Sequence, residues 1–249
     1  MDEAEPYARL ADVYDEVVID PCYDRWAAYL HGLWSSDHDH VQAVLDVCCG
    51  TGLMAAELTE LGYRVVGVDR SPAMLTRARQ LLGPDAVLTQ QTLPELTIGG
   101  VFDAAISTFD GLNYLSPGDV GLTFSALGRR LRPGGWLVFD LHTDAMMQFT
   151  MNHPVVQGQS DGRRFEISSV VDVTARTCNT RIVMTRTDDG DIFSEQHDQY
   201  FFSDAQVRDA LAAARFELVA ITDEYTHTPA DRSSLRATWT ARYAGPPES

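Results

Sequence analysis

The chain has 249 residues, with 19 basic against 36 acidic side chains and a formal charge of −17. All 19 basic residues are arginine; the absence of lysine excludes a lysine Schiff base, a phosphate-loop lysine and a kinase strand lysine. The acidic balance argues against bulk attraction to nucleic acid or anionic membranes.

The opening residues, MDEAEPYARL, are acidic and polar, unlike a signal peptide. No apolar run approaches the roughly 20 residues of a membrane span. Cys22, Cys48, Cys49 and Cys178 form no Cys-x-x-Cys pair, so free thiols in a reducing cytoplasm are the simplest reading. Residues 5–19 and 23–35 read as amphipathic helices. Leu10, Val13, Tyr14, Val17 and Val18 recur at helical spacing in the first; Tyr23, Trp26, Leu30 and Trp34 recur in the second. Pro21 separates them. Residues 35–40 read as a polar loop. Its Asp37-His38-Asp39-His40 run is no metal site, because four adjacent residues cannot all face one ion.

From residue 41 a strand–helix alternation begins. VQAVLDV is a buried strand, a turn at 49–52 leads to a helix over 53–61, and YRVVGVD (63–69) is the second strand. Ser71-Pro72 is a helix start, a capping residue followed by proline at the first helical position. Strands follow at 85–90, 101–108 and 136–142, with a helix from Ser116-Pro117 to Leu131 between the last two. Such alternation of apolar strands with helices means a parallel sheet covered on both faces. Past residue 155 the rhythm changes. FEISSVVDV, NTRIVMTRT and DIFSEQHDQYFF succeed one another without helices and read as an antiparallel sheet. A helix over 204–214 and strands FELVAIT and SLRATWTARY close the chain. The expected divisions are a helical cap (1–36), an α/β core (37–150), a β lid (151–203) and a segment completing the core (204–249).

The chemistry-bearing stretch is Val44-Leu45-Asp46-Val47-Cys48-Cys49-Gly50-Thr51-Gly52, at a strand–helix junction. Glycines there permit a tight turn and close backbone approach to a ligand. Asp69, 17 positions after Gly52, ends the second strand, where a carboxylate can accept both ribose hydroxyls. Gly50-x-Gly52-x-x-Ala55 fits a dinucleotide fingerprint, but a pyrophosphate gains nothing from the nearby negative Asp46. A cationic amino-acid cofactor does.

LDVCCGTG (45–52), VVGVDRSPAML (65–75), FDAAISTFDGLNYL (102–115) and LRPGGWLVFDLH (131–142) occur in the order found in class I S-adenosylmethionine-dependent methyltransferases, which the sequence resembles. The resemblance implies a Rossmann-like, seven-stranded, mostly parallel sheet with helices on both faces. It implies S-adenosyl-L-methionine as cofactor, with Asp46, Gly50 and Gly52 on its methionine side and Asp69 on its ribose. Arg70, Thr92, Leu93 and Thr108 would border the remainder. Cys48 stands where many relatives have the first glycine, and Thr92 where an adenine-contacting aspartate is common. The N-terminal helices and β lid resemble small-molecule N-methyltransferases, including aminosugar dimethyltransferases and glycine methyltransferase relatives. That branch implies Tyr14 closing over the cofactor, joined by Tyr7.

Methyl transfer is a one-step displacement that needs alignment and a free lone pair. Expected bases or orienting groups are Tyr14, His197 and Asp110; expected substrate contacts are Tyr7, Trp26, Phe109 and Asn113. No metal site is expected. The expected reaction is methylation of a small molecule at nitrogen, in natural-product metabolism, without nucleic-acid or membrane partners; self-association stays open. O-methylation is the alternative if His197 and Asp110 both face the methyl. A nicotinamide-dependent oxidoreductase and an inactive cofactor-binding protein, its chamber filled by Phe149, Phe201 or Trp239, are the other readings.

Overall fold

The computed structural model describes residues 6–17, 22–35, 40–160, 162–188 and 190–246. Strand β1 (Ala43–Val47) buries Val44 on one sheet face and Leu45 on the other, in two separate apolar clusters. It pairs in parallel with β2 (Arg64–Asp69) on one side and β4 (Phe102–Ser107) on the other. Strand β3 (Val87–Gln90) extends the β2 side, and β5 (Leu131–His142) extends the β4 side. The strand β11 (Arg236–Tyr243) then runs antiparallel to both β5 and β10 (Phe216–Asp223). The seven-stranded order is β10-β11-β5-β4-β1-β2-β3. The strand order reverses beside β1, so the crevice past its carboxyl end is where an open α/β sheet binds ligand.

Helices cover both faces. Trp26, Leu30 and Trp34 of α2 (Tyr23–Ser35) pack with Met54 and Leu58 of α3 (Leu53–Glu60) against Val44, Ile106 and Val138. On the opposite face Phe124 of α5 (Asp119–Gly128) and Leu211 of α7 (Asp204–Ala213) meet Leu45, Leu137 and Phe139. Ser71 caps α4 (Pro72–Leu82), its Oγ accepting from the Met74 N–H at 3.2 Å. A second sheet, β6 (Val155–Ser160), β7 (Arg163–Asp172), β8 (Thr177–Arg186) and β9 (Ile192–Tyr200), is an antiparallel meander. Its Phe165 and Met184 pack on Leu10 and Val13, which seats the N-terminal segment on this sheet.

Several expectations are corrected. The long helix over 5–19 is replaced by a 3-10 turn (Leu10–Asp12) and the single-turn α1 (Tyr14–Val17). The backbone N–H groups of Tyr7, Arg9 and Leu10 donate instead to Glu195, so they are unavailable to a helix. Val18, Pro21 and the Asp37-His38-Asp39 stretch lie outside the described residues. Helix α5 starts at Asp119 and ends at Gly128, and β5 already begins at Leu131. The Pro133-Gly134-Gly135 run therefore lies inside that strand, where pairing with β4 shifts register. Sequence patterning missed β6 and the helix α6 (Asp144–Asn152). The latter carries a readable signal in Thr143, whose Oγ1 accepts from the N–H groups of Ala145 and Met146.

Gly67 on β2 packs tightly beside the glycine-rich turn. A methyl added there would lie 2.7 Å from Leu88 Cδ2 and 2.9 Å from Cys49 Sγ. Gly67→Ala is expected to destabilise by about 1–3 kcal/mol through overpacking. Thermal unfolding should show the midpoint lowered by several degrees, about 2–4 °C per kcal/mol; an unchanged midpoint would mean the turn shifts freely.

Candidate active site

The turn after β1 is built on left-handed backbone. Cys48, Gly50 and Gly52 have φ of 59°, 54° and 85°. Only glycine adopts these angles freely, which explains the family's glycine at the position of Cys48. Asp69 organises the turn: its Oδ2 accepts from the Gly50 N–H at 2.9 Å and its Oδ1 from the Ser71 N–H at 2.8 Å. Burial raises its pKa, and these backbone donors work against that. One carboxylate thus fixes two loops and retains lone pairs toward the cavity it lines.

That cavity opens past the ends of β1, β2 and β4. Its empty space, water included, is about 1060 Å³, the upper end of the roughly 300–1,000 Å³ of small-molecule sites. Among the expected site residues, Tyr7, Tyr14, Gly50, Asp69, Arg70, Thr92, Leu93, Thr108 and Phe109 line it. Tyr23, Tyr114, Thr51 and Asp119 also line it and were not expected. Tyr23 and Tyr114 lie in segments read only as helix or motif, with no local signal of where their rings point.

Residues 6–17 roof the cavity. Glu195 holds this segment through the N–H groups of Tyr7 (2.6 Å), Arg9 (2.6 Å) and Leu10 (2.8 Å). Thr51 donates to Asp15 Oδ1 at 2.7 Å, and Ser71 to the Tyr7 carbonyl at 3.3 Å. The Tyr7 ring, at φ 64°, lies edge-on to Tyr14 with centroids 5.8 Å apart. Burial raises the pKa of Tyr7, Tyr14, Tyr23 and Tyr114, so all four stay neutral. Burial, aided by Asp69, pushes Cys48 up to about 12. It remains a thiol and no rival nucleophile.

The wall at Thr108-Phe109 is held from behind. Phe109 and Asp110 are left-handed at φ 61° and 53°. Their N–H groups donate to Asp140 at 2.7 and 2.6 Å, and Tyr225 donates its hydroxyl to Asp140 at 2.7 Å. Burial raises Asp140 to about 6, with Arg236 opposing. Arg236 lies 3.4 Å from Asp140 and 3.1 Å from Asp110, with its guanidinium 4.7 Å from the Phe109 ring centre.

The structure places several expected residues away from the cavity lining. Asp110 does not line the cavity: Gln199 takes one oxygen and Arg236 the other. Asn113 is fully buried, donating to the Tyr200 carbonyl and accepting from the His142 N–H, so it clamps strands rather than substrate. Trp26 stacks on Tyr225 in the core at 4.8 Å, its cation partner being Arg236. His197 is buried on β9 behind the lining, its Nδ1 3.0 Å from the Tyr114 hydroxyl and its ring edge-on to Tyr7 at 4.9 Å. Asp46 and Gly52 stand one layer behind the lining, Gly52 packed against Ala78. Phe149 is exposed, Phe201 packs with Met147 and Cys178, and Trp239 stacks on Phe139, so none fills the chamber.

Residues 44–135 match the family of methyltransferase domains. The Bacillus subtilis protein YqeM, described only as a candidate methyltransferase, is 29% identical over 243 residues, covering 92% of this chain and 94% of its own. A dTDP-3-amino-3,4,6-trideoxy-α-D-glucopyranose N,N-dimethyltransferase of Streptomyces venezuelae is 32% identical over 133 residues, 52% of this chain and 56% of its own. The fold is also that of an S-adenosylmethionine-dependent methyltransferase of Clostridium acetobutylicum, with TM-score 0.86 and 20% identity over 96% and 99% of the two chains. The structure of Streptomyces venezuelae DesVI aligns with TM-score 0.76 and 25% identity over 94% and 98%. Residues 44–135 are thus a methyltransferase domain, carried on the fold of class I enzymes that use S-adenosylmethionine.

The site of this methyltransferase suits that cofactor. Asp46 is fully buried, and neither carboxylate oxygen has a hydrogen-bond partner among the described residues. Such a group suits a cation, and the cofactor's ammonium would supply one. Asp69 is available to the ribose hydroxyls, and the neutral tyrosines and Phe109 offer ring faces to a sulfonium. When bound, the cofactor supplies an electrophilic methyl group; the protein holds and orients it. Among the described residues no helix is long and apolar enough to cross a membrane, and no group of three or more His, Cys, Asp or Glu side chains is placed to hold a metal.

Burial, then Asp69, raises Asp46 from 3.8 to about 8 in the empty protein. Its folded pKa is above its unfolded value, so its contribution to stability is present below that unfolded value and lost as pH rises through about 8. Ligand ammonium favours the ionised form. S-adenosylhomocysteine is therefore expected to bind more tightly as pH rises toward 8, by up to about tenfold per unit. Asp46→Asn should flatten that dependence and weaken binding, while raising the melting temperature of the empty protein above pH 8. Calorimetry and thermal unfolding across pH check both; a wild-type affinity independent of pH would remove Asp46 from cofactor binding.

Proposed function

We propose that the enzyme transfers a methyl group to an amine nitrogen of a small natural-product or sugar-like metabolite. The observation that carries this reading is the chemistry of the chamber lining. Four neutral tyrosines ring it, and no histidine among the described residues lines it. Among the described residues its carboxylates are Asp69 and Asp119, held by Gly50 with Ser71 and by Ser116 respectively. An amine needs only to lose a proton to present its lone pair, whereas an alcohol or phenol needs a base in contact. Neither His197 nor Asp110 lines the cavity, which favours nitrogen over oxygen as the target. The aminosugar N,N-dimethyltransferases among the relatives support nitrogen as the target.

The site roles follow on the same reading. Asp46 and Gly50 hold the methionine end, Asp69 the ribose, and Arg70, Thr92, Leu93 and Thr108 the remainder. Tyr7, Tyr14 and Phe109 shape the acceptor side. The β6–β9 sheet acts as a lid, because Glu195 on β9 ties it to the roofing segment.

A panel of small amines and matched hydroxyl compounds, including dTDP-3-amino-3,4,6-trideoxy-α-D-glucopyranose, tests the reading by product mass. One or two methyl groups on amines, with hydroxyl compounds unchanged, are expected. Methylation confined to the hydroxyl compounds would overturn it.

A further inference from the structure

One chain of hydrogen bonds leaves the acceptor side of the cavity and enters the lid. The Tyr7 and Tyr114 hydroxyl oxygens are 2.6 Å apart, and both residues line the cavity. The Tyr114 hydroxyl is 3.0 Å from Nδ1 of His197. Nε2 of His197 is 3.4 Å from Oε2 of Glu195, within ion-pair reach. His197 and Glu195 are both buried. Two phenols therefore connect a solvent-exchanging chamber to a buried imidazole backed by a carboxylate.

We propose that Tyr7, Tyr114 and His197 form a proton relay that takes the proton from an ammonium acceptor and stores it beside Glu195. The inference rests on the amine reading above. The acceptor N–H proton passes to the Tyr7 oxygen as the Tyr7 proton passes to Tyr114 and the Tyr114 proton to Nδ1 of His197. Each tyrosine ends with one proton, as it began. The N–H electron pair stays on nitrogen as the lone pair that methyl transfer requires, and His197 becomes an imidazolium. After the product leaves, the proton returns along the same path to water.

Three features of the geometry support this direction. Nε2 lies 3.4 Å from Glu195 Oε2 without a hydrogen bond, and a proton on that side would leave Nδ1 bare to accept from the Tyr114 hydroxyl. Glu195 is placed to be a carboxylate: although burial raises its pKa, His197 and the N–H groups of Leu10, Arg9 and Tyr7 outweigh this and lower it. The tyrosines, kept neutral by burial, pass protons rather than rest as phenolates. The other groups facing the relay are Arg70, its guanidinium 5.8 Å from the Tyr114 ring centre, and Asp110, whose charge acts on both tyrosines. Tyr14 lies edge-on to Tyr7, and on strand β8 Thr180 stands opposite His197. Tyr7 and Tyr114 would touch the acceptor; His197 and Glu195 act through them.

The relay is testable on the cofactor-free protein, independently of any acceptor, by 15N NMR of histidine-labelled enzyme. His197→Gln identifies the His197 signals. A bare Nδ1 and a protonated Nε2 are expected at neutral pH, and Tyr114→Phe should shift the Nδ1 signal. Glu195→Gln should shift the Nε2 signal, because the nearby carboxylate is lost. A protonated Nδ1 in the wild type, or signals untouched by Tyr114→Phe, would overturn the relay. Should Glu195→Gln unseat the roof, Tyr114→Phe, which loses one oxygen, still decides.

Activity gives a second readout, with dTDP-3-amino-3,4,6-trideoxy-α-D-glucopyranose as acceptor. In Tyr114→Phe, kcat at low pH should fall about 100-fold and recover as pH rises and the amine deprotonates in water. S-adenosylhomocysteine affinity should not change. An equal loss at every pH would make Tyr114 a purely structural residue and also overturn the relay. If no amine is methylated, the functional reading fails, while the NMR result still stands for the relay alone.

Discussion

The Glu195 carboxylate is the contact on which the shape of the site depends. It has no exposed surface and accepts three backbone N–H groups from residues 7–10. A buried carboxylate without such donors would cost several kcal/mol; here the donors come from a segment that would otherwise continue as helix. The exchange determines three things together. It keeps Tyr7 out of a helix, it places the tyrosines over the cavity, and it ties the antiparallel sheet to the cofactor-binding sheet. Without it the crevice past β1 is an open groove; with it the crevice is a chamber.

The acidic groups around this chamber divide by their partners. Asp69 is satisfied by two backbone donors and still faces ligand, whereas Asp46 has no partner among the described residues. Asp110, Asp140 and Glu224 instead gather around Arg236. A planar guanidinium can serve three carboxylates from separate N–H groups, a task for which a lysine ammonium is poorly shaped. This cluster anchors the two left-handed residues behind the Phe109 wall. One set of charges therefore builds the wall, and the other awaits the cationic cofactor.

The turn that lines the cavity was legible because its signals are local. A glycine pair at a strand–helix junction and an aspartate ending the next strand lie within 24 residues, from Asp46 to Asp69. The parallel core was equally legible from its alternation of apolar strands and amphipathic helices. Elements failed where remote contacts overrode local preference. The N-terminal helix lost its donors to Glu195, 185 or more positions away. Asn113, Asp110 and Trp26, chemically plausible substrate contacts, were drawn into the interior by Tyr200, Arg236 and Tyr225.

The sequence by itself determined the class of fold, the cofactor and the glycine-rich turn, because backbone conformation and strand burial follow from neighbouring residues. The tertiary structure alone decided which side chains face the cavity. Tyr23 and Tyr114 entered the lining, and His197 came within one hydroxyl of it. Those outcomes depend on how a lid strand, a roofing segment and the β4 turn meet. Their contacts span some 80 to 190 positions of sequence, a distance over which no local pattern constrains the direction of a side chain.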